Sequence, residues 1–305
     1  MLIYTLKRLG LAILVALVVS IVSFSLLYLA GDPAIAMAGE EGTDKDIESI
    51  RTLYGFDRPL IVQYFDWVIR TLQGDLGQSF YFQLPVSELL FERLPTTLIL
   101  GSCAISFALL LAVPLGVIAA LKPNSWIDRL ALLLSVIGQA LPSFWFALLL
   151  IVLLSLIYPI LPASGSESWE GFVMPTIVLG YYATPDIMRL TRAGMLDVLE
   201  KDYIRTARAK GLSRTQVILK HALRNAIIPV VSVAAVQFGI MLSGSIVVES
   251  VFALHGVGYL AWESILRNDL PTVQAIILIF AFFYIVLTLV ADLLNAWLDP
   301  RIRVA

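Results

Sequence analysis

Residues Asp202–Val231 read DYIRTARAKGLSRTQVILKHALRNAIIPVV. From Arg205 to Arg224 the stretch carries six bases: Arg205, Arg208, Lys210, Arg214, Lys220 and Arg224. Lys201 lies just upstream, and no acid follows Asp202 within the stretch. It is a polar island in an oily chain. Of 305 residues 59% are hydrophobic and 14% charged, and the mean hydropathy is +0.88. The local order predicts a shape. Asp197 to Lys210 has no Pro or Gly and suits a helix. Gly211 stands where a left-handed turn commonly ends one. Ser213-Arg-Thr-Gln216 matches the capping box that starts another. That second helix runs through Val217, Ile218, His221 and Ala222, and Pro229 opens the next apolar run. On composition alone, such an insert either sets membrane topology or docks a partner.

Working outward, the apolar residues come in blocks, and about 20 of them span a hydrocarbon core as a helix. Such runs lie near 9–30, 96–121, 130–158, 228–248 and 274–298, with a shorter sixth near 172–189 that carries Pro175 and Pro185. The expected fold is all-α and polytopic, with six transmembrane helices. Pro114 and Pro142 fall inside runs and read as kinks whose freed carbonyls neighbouring helices cover. The first 30 residues resemble a signal peptide, but their apolar run of about 22 exceeds the 7–15 of a cleaved one. They read as an uncleaved first span. The expected division is a transmembrane helix at 1–30, an extracytoplasmic loop or subdomain at 31–95, a core of five transmembrane helices at 96–298 containing the basic loop 190–227, and a tail at 299–305.

Lys and Arg placement gives the orientation. With the N-terminus inside, 15 bases fall on the cytoplasmic side, nine of them in the 189–225 loop, and six fall outside. The outer loop 31–95 holds eleven acids and five bases. Both termini and the basic loop are therefore expected in the cytoplasm. Each base carried to the bilayer centre would cost roughly 2.5–3.5 kcal/mol.

The basic stretch resembles the cytoplasmic "EAA" loop of permease subunits of ATP-binding-cassette importers, most closely the dipeptide/oligopeptide/nickel branch. Gly211 matches the family glycine. Arg205 stands in place of the usual leading acid, followed by Thr206 and Ala207 as is usual in this branch. His221-Ala-Leu-Arg224 replaces the general importer ending I-x-L-P, which sets the chain apart from sugar and amino-acid importers. The resemblance runs along nearly the whole chain: GDP (31–33), YGFDRPLIVQYFDWV (54–68), GDLGQS (74–79), LPTTL (94–98), LPSFW (141–145), VVESVF (247–252) and LDPRIR (298–303). It implies a type I importer permease fold in a bacterial inner membrane. The implied partners are a second, homologous permease subunit, two ATPase subunits that bind ATP and Mg, and an extracytoplasmic substrate-binding protein. It also implies that Arg205, Thr206, Ala207, Lys210, Gly211, Ser213, Gln216, Val217, Lys220, His221 and Arg224 form the ATPase-coupling surface, bent at Gly211. The implied substrate is a short peptide, with nickel chelates, opines or other small conjugates as alternatives.

Gln237, Ser243, Ser245 and Glu249 are polar groups in or near the fifth span. They read either as a lining of the substrate path or as interhelical hydrogen bonds. Ser232, Ala235, Gly239 and Ser243 form a small-residue face suited to close helix packing. In the outer loop Leu60, Ile61, Tyr64, Phe65, Val68, Ile69 and Leu72 make a helical stripe. It reads either as a helix lying on the membrane or as the core of an outer subdomain. Asp292 and Asn295 read as solvated at the cytoplasmic edge.

Several function classes are set aside. No G-x-x-x-x-G-K-[ST] is present for ATP, and His221 and His255 stand alone, so no cofactor or metal is expected in this chain. One cysteine, Cys103, excludes a disulfide framework. A net charge of −2 suggests no nucleic-acid partner. An intramembrane hydrolase would need a nucleophile and base at depth. A secondary transporter would favour charged midplanes and inverted repeats, and the midplanes read as uncharged. Co-purification of ATPase chains separates an importer permease from such a carrier or from a passive scaffold.

Overall fold

The computed structural model describes residues 2–29, 31–38 and 42–298. The elements, in chain order, are α1 (Leu2–Leu29), α2 (Pro33–Ala38), α3 (Asp44–Tyr54), α4 (Leu60–Leu72), α5 (Val86–Leu121), α6 (Trp126–Ala140) and α7 (Ser143–Ile151). There follow α8 (Val173–Leu199), α9 (Asp202–Ala209), α10 (Arg214–Gln216), α11 (Arg224–Ala226), α12 (Ile228–Val251), α13 (Val257–Leu266) and α14 (Leu270–Leu298). π-helical turns at Val152–Ile157 and Val217–Leu223 continue α7 and α10, and a 3-10 turn at Trp169–Phe172 leads into α8. Among the described residues there is no β-strand. The tail at 299–305, with Arg301 and Arg303, lies outside the described residues.

The bundle is organised by α5 and α8. Ala104, Ala108, Ala112, Gly116 and Ala119 form a small-residue seam along α5, all at or near zero exposure. A Cβ on Gly116 would lie 2.8 Å from the Met188 carbonyl oxygen, and one on Gly180 would strike the carbonyl of Ala104. Small residues let the two backbones approach this closely. Because residue 104 meets 180 and residue 116 meets 188–191, the two helices run in the same direction. The chain between them must return along the bundle, and α6 does so antiparallel to α8: Asp128 meets Arg192 and Gly138 meets Tyr181. By the same reading α12 is antiparallel to α5 (Thr97 to Glu249, Gly101 to Leu242) and α14 to α1 (Arg8 to Asp292, Ser23 to Gln274). Gly239 packs on Tyr284 of α14, as its small-residue face suggested.

Among the described residues, four helices are long and apolar enough to cross a membrane: Tyr4–Leu29, Val86–Leu121, Ile228–Val251 and Leu270–Ala296. A fifth is possible if α6 and the helix from Ser143 to Ile157 count as one. The run at 130–158, expected as one span kinked at Pro142, is bent more sharply than a kink. The two halves meet at 98°. Leu141, preceding a proline, is extended (φ −88°, ψ 128°), and Pro142 caps the next helix. A residue before proline is disfavoured in helical geometry, so the chain turns a corner. α8, the expected sixth span, is less apolar than these; it carries Asp186, Arg189 and Arg192. Asp186 and Arg189 both lie toward the C-terminal end of the 172–189 run.

Asp292 is ion-paired to Arg8 at 2.8 Å, which corrects its reading as merely solvated. The outer stripe also resolves. Leu60, Ile61, Phe65, Ile69 and Leu72 are exposed and Gln63 is the buried residue of α4, so the stripe is no subdomain core. Beneath the opposite face of α4 lies a cavity of about 240 Å³ that Phe24, Tyr28, Trp67, Asp75 and Gln274 help to line.

Candidate functional site

The basic stretch forms the elbow its sequence predicts, with one difference. α8 ends at Leu199 and Lys201 is extended (φ −69°, ψ 147°), so the expected helix from Asp197 to Lys210 is broken in two. Neither Gly nor Pro causes the break. It turns α9 back so that Ile204 and Ala207 bury against Met195, Val198 and Ala120. Gly211 then adopts φ +75°, the left-handed region that suits glycine. Its N–H donates to the Arg208 carbonyl at 3.0 Å. The capping box is formed: Ser213 Oγ accepts the Gln216 N–H, and Gln216 Oε1 accepts the Ser213 N–H at 3.2 Å.

The elbow has two faces. Ala207 and Val217, expected on the contact surface, are instead buried with Ile204, Ala222 and Ala226. They are apolar, and they seat the elbow on α5 and α8. Arg205, Thr206, Lys210, Gly211, Ser213, Gln216, Lys220 and Arg224 are exposed, and His221 is half-buried. Among the described residues, Arg205 has only a 3.4 Å pair with Asp202, both highly exposed, which contributes little. Lys201 pairs with Asp197 at 2.8 Å; this hydrogen bond, with the carboxylate's charge, raises the lysine's pKa. Tyr203, Leu212 and Leu219 are exposed apolar groups among these cations. Sequence reading passed over them, although a large apolar residue inside a solvated cationic loop is itself a signal. A cleft of about 420 Å³ between Arg208, Leu212 and Arg214 and the end of α5 flanks the elbow.

Four polar hubs tie the bundle together. Near the elbow, Arg192 grips Asp128 with two parallel bonds of 2.7 Å, and Asp128 also accepts the Asn124 N–H at 2.9 Å. This fork fastens the α5–α6 turn to α8. Midway, Asp186 accepts Gln237 Nε2 at 2.8 Å and Gln139 Nε2 at 3.3 Å and pairs with Arg189 at 2.5 Å, joining α6, α8 and α12.

At the opposite end of α12, Glu249 is fully buried. It accepts Thr97 Oγ1 and Ser245 Oγ, each at 2.8 Å, and the Tyr259 N–H at 2.9 Å; Thr97 Oγ1 in turn accepts the Val257 N–H at 2.8 Å. A Cβ on Gly256 would lie 2.5 Å from Thr97 Oγ1, so only glycine lets the loop close on the carboxylate. Asp269 accepts Ser79 Oγ (2.6 Å), the Phe80 N–H (2.8 Å) and Thr272 Oγ1 (2.7 Å) at the start of α14. Of the four expected path residues, then, Gln237, Ser245 and Glu249 sit in interhelical networks, and Ser243 alone of the four is exposed. Sequence reading did not find the Asp186, Asp128–Arg192 and Asp269 hubs, although Asp186, an acid within an apolar run, marked the position of one.

Among the described residues no cluster of His, Cys, Asp and Glu could hold a metal. A bundle of apolar helices carrying one cationic elbow defines a polytopic membrane protein. The chain belongs to the family described as binding-protein-dependent transport system inner membrane component, whose model matches residues 112–304. The model for the N-terminal part of such components matches 1–101. It is 42% identical over 304 residues to the glutathione transport system permease protein GsiC of Salmonella typhimurium strain LT2, and 41% identical to that of Escherichia coli strain K12; each match covers 99% of both chains. Among solved structures, the inward-facing MetNI methionine ABC transporter matches with a TM-score of 0.59 at 17% identity, over 69% of this chain and 96% of that one. An amino acid ABC transporter with histidines matches at 0.51 and 19%, over 70% and 94%. These structures share the fold. The resemblance read from the sequence holds: the chain is a permease of an ABC-type importer.

Proposed function

We propose that this chain forms half of the translocation pathway of an ATP-driven importer of short peptides and passes the motion of partner ATPases to its membrane helices. Glutathione, named in the relatives, is itself a small peptide, which favours that substrate class. A second permease subunit completes the pathway, two ATPases supply ATP hydrolysis, and a binding protein delivers substrate from outside. The alternating directions of the helices support six spans, with α8 crossing alongside α5 and its polar residues facing protein. They also support a topology with the start of α1, the elbow and the end of α14 on one side, the cytoplasmic side by the charge count. The core of five spans runs from 96 to 298, after a first span and the outer segment 31–95.

The observation that carries this reading is the two-faced elbow. Its outer face is cationic, exposed and capped for rigidity; its inner face is apolar and packed on α5 and α8. A partner gripping Arg205, Lys210, Gln216, Lys220 and Arg224 moves the membrane helices as a body. In the test, cysteine at Lys210 is crosslinked in the intact complex. A crosslink to an ATPase subunit, whose yield changes with ATP, is expected. Crosslinking only to extracytoplasmic proteins would remove the coupling role.

A further inference from the structure

We infer that α4 is a membrane helix lying in the lipid leaflet at the C-terminal end of α1, with its apolar edge against acyl chains. The inference is independent of the coupling role of the elbow. One edge of α4 packs on α1: Tyr64 bonds Ser20 at 2.8 Å, Tyr28 bonds Gln63, and the Phe24 ring meets those of Tyr64 and Trp67 at 5.4 and 5.7 Å. These contacts fix its depth. Phe24 and Ser20 precede the end of α1 at Leu29 by five and nine residues, about 7 and 14 Å along the axis. Leu17, Val18, Ile21, Val22 and Leu26 of α1, at the same level, are exposed on a helix long and apolar enough to span. In a membrane these side chains face lipid. α4 is therefore bound to a stretch of span that hydrocarbon surrounds.

The other edges agree. At 100° per residue, Gln63, Tyr64 and Trp67 face α1, while Asp66 and Arg70 lie across the helix from Ile61, Phe65 and Leu72. Asp66 pairs with Arg58 at 2.7 Å, so the polar edge keeps its charges together on the water side. Ile61, Phe65, Ile69 and Leu72 are 66%, 57%, 52% and 82% exposed. So large an apolar stripe on a soluble surface would promote association. On a helix sunk 5–10 Å into the headgroup and acyl boundary it is what holds the helix there. The stripe continues the lipid-facing surface of α1, and acyl chains are the occupant that this continuity selects.

The test places nitroxide labels at Phe65→Cys, Ile69→Cys and Asp66→Cys in a Cys103→Ser background. The whole importer is reconstituted in nanodiscs of phosphatidylethanolamine and phosphatidylglycerol. Labels at 65 and 69 are expected to collide readily with oxygen and at least fivefold less than label 66 with a water-soluble nickel chelate. Equal chelate access at all three positions would place α4 in water and overturn the inference. Protection of 65 and 69 from both reagents would mean a protein covers the stripe, and would also overturn it. Gel filtration of each labelled complex checks assembly.

Discussion

Gly211 offers the sharpest test of the elbow, because two substitutions there separate strain from disruption. A non-glycine residue in the left-handed region costs roughly 1–2 kcal/mol. An added Cβ at Gly211 meets nothing within 4 Å, so Gly211→Ala carries that conformational cost alone. Burial of the apolar inner face opposes it: Ile204 and Val217, at 0% and 2% exposure, each contribute about 1.5–3 kcal/mol. The elbow of Gly211→Ala is therefore expected to persist. Gly211→Pro differs in kind. Proline locks φ near −65° against the observed +75° and removes the N–H that bonds Arg208. The bend cannot form, and α9 and α10 cannot both keep their seats. None of the apolar runs is touched, so membrane insertion is expected to continue. Uptake of labelled glutathione into proteoliposomes containing the complete importer is the assay, with co-purification of the ATPases as the second readout. Gly211→Ala is expected to retain most transport, and Gly211→Pro to lose transport and ATPase association together. Normal uptake by Gly211→Pro would refute the reasoning.

Glu249→Ala leaves the Tyr259 N–H without an acceptor at a buried site, a loss of about 1–3 kcal/mol. Hydrogen exchange at Tyr259 should accelerate about 5- to 160-fold, and an unchanged rate would show that the hub does not hold α13. Arg192→Ala strands Asp128, which is 2% exposed, and is expected to destabilise the chain by about 3–5 kcal/mol; thermal unfolding should show the Asp128→Leu/Arg192→Leu pair less damaged than the single variant. At Asp32 burial pushes the carboxyl pKa up, but hydrogen bonds from the Ala34 N–H and Arg51 outweigh it and hold it below its ordinary value. The tie to α3 is therefore fully present above about pH 4 and lost as pH falls through the lowered value. Limited proteolysis of the 42–54 segment should accelerate only as pH falls below about 4, and not at pH 5. Asp186→Ala orphans Gln237 and Gln139 at the junction of three helices. It is expected to slow uptake severalfold with ATPases still bound, and full-rate uptake would exclude Asp186 as a contact that transport needs.

What the sequence made legible was local. Gly211, the Ser213–Gln216 box and Pro229 each act within a few residues, and each stands as its chemistry predicts. The break at Glu200–Lys201 was not legible, because packing of Ile204 on Met195 imposes it and no breaker residue does. Pro142 announced a bend, but 98° reflects how α6 and α7 each pack on α8. The hubs were legible only as fragments. LPTTL and VVESVF stand 152 residues apart at Thr97 and Glu249, and periodicity cannot say that their hydroxyl and carboxylate meet. The same holds for Ser79 of GDLGQS and Asp269, 190 residues apart. The burial of Ala207 and Val217 was not legible, because a helix only eight residues long, or a short π-helical stretch, gives too few positions to phase a stripe.

The hubs and the elbow together say how force can travel. From Ile228 to Glu249 α12 rises about 32 Å, with the elbow attached at one end and the α5–α13 junction at the other. Near the elbow, displacement reaches α5 and α8 directly, through the apolar seat and the Asp128–Arg192 fork. Along α5 and α8 the small-residue seam leaves no slack, since Cβ-sized gaps are already absent at Gly116 and Gly180. Close-packed interiors shift between discrete arrangements and do not yield gradually. α5 and α8 therefore move as one unit, and relative motion is left to contacts held by few bonds. The Asp186 junction is such a contact: half-exposed, polar, and shared by the returning α6, the seam helix α8 and α12. Under the proposed coupling, an ATPase that pulled the elbow would act on a stiff pair at one end of a long lever, and the contacts at Asp186 and Glu249 would set which arrangement of the bundle it must overcome.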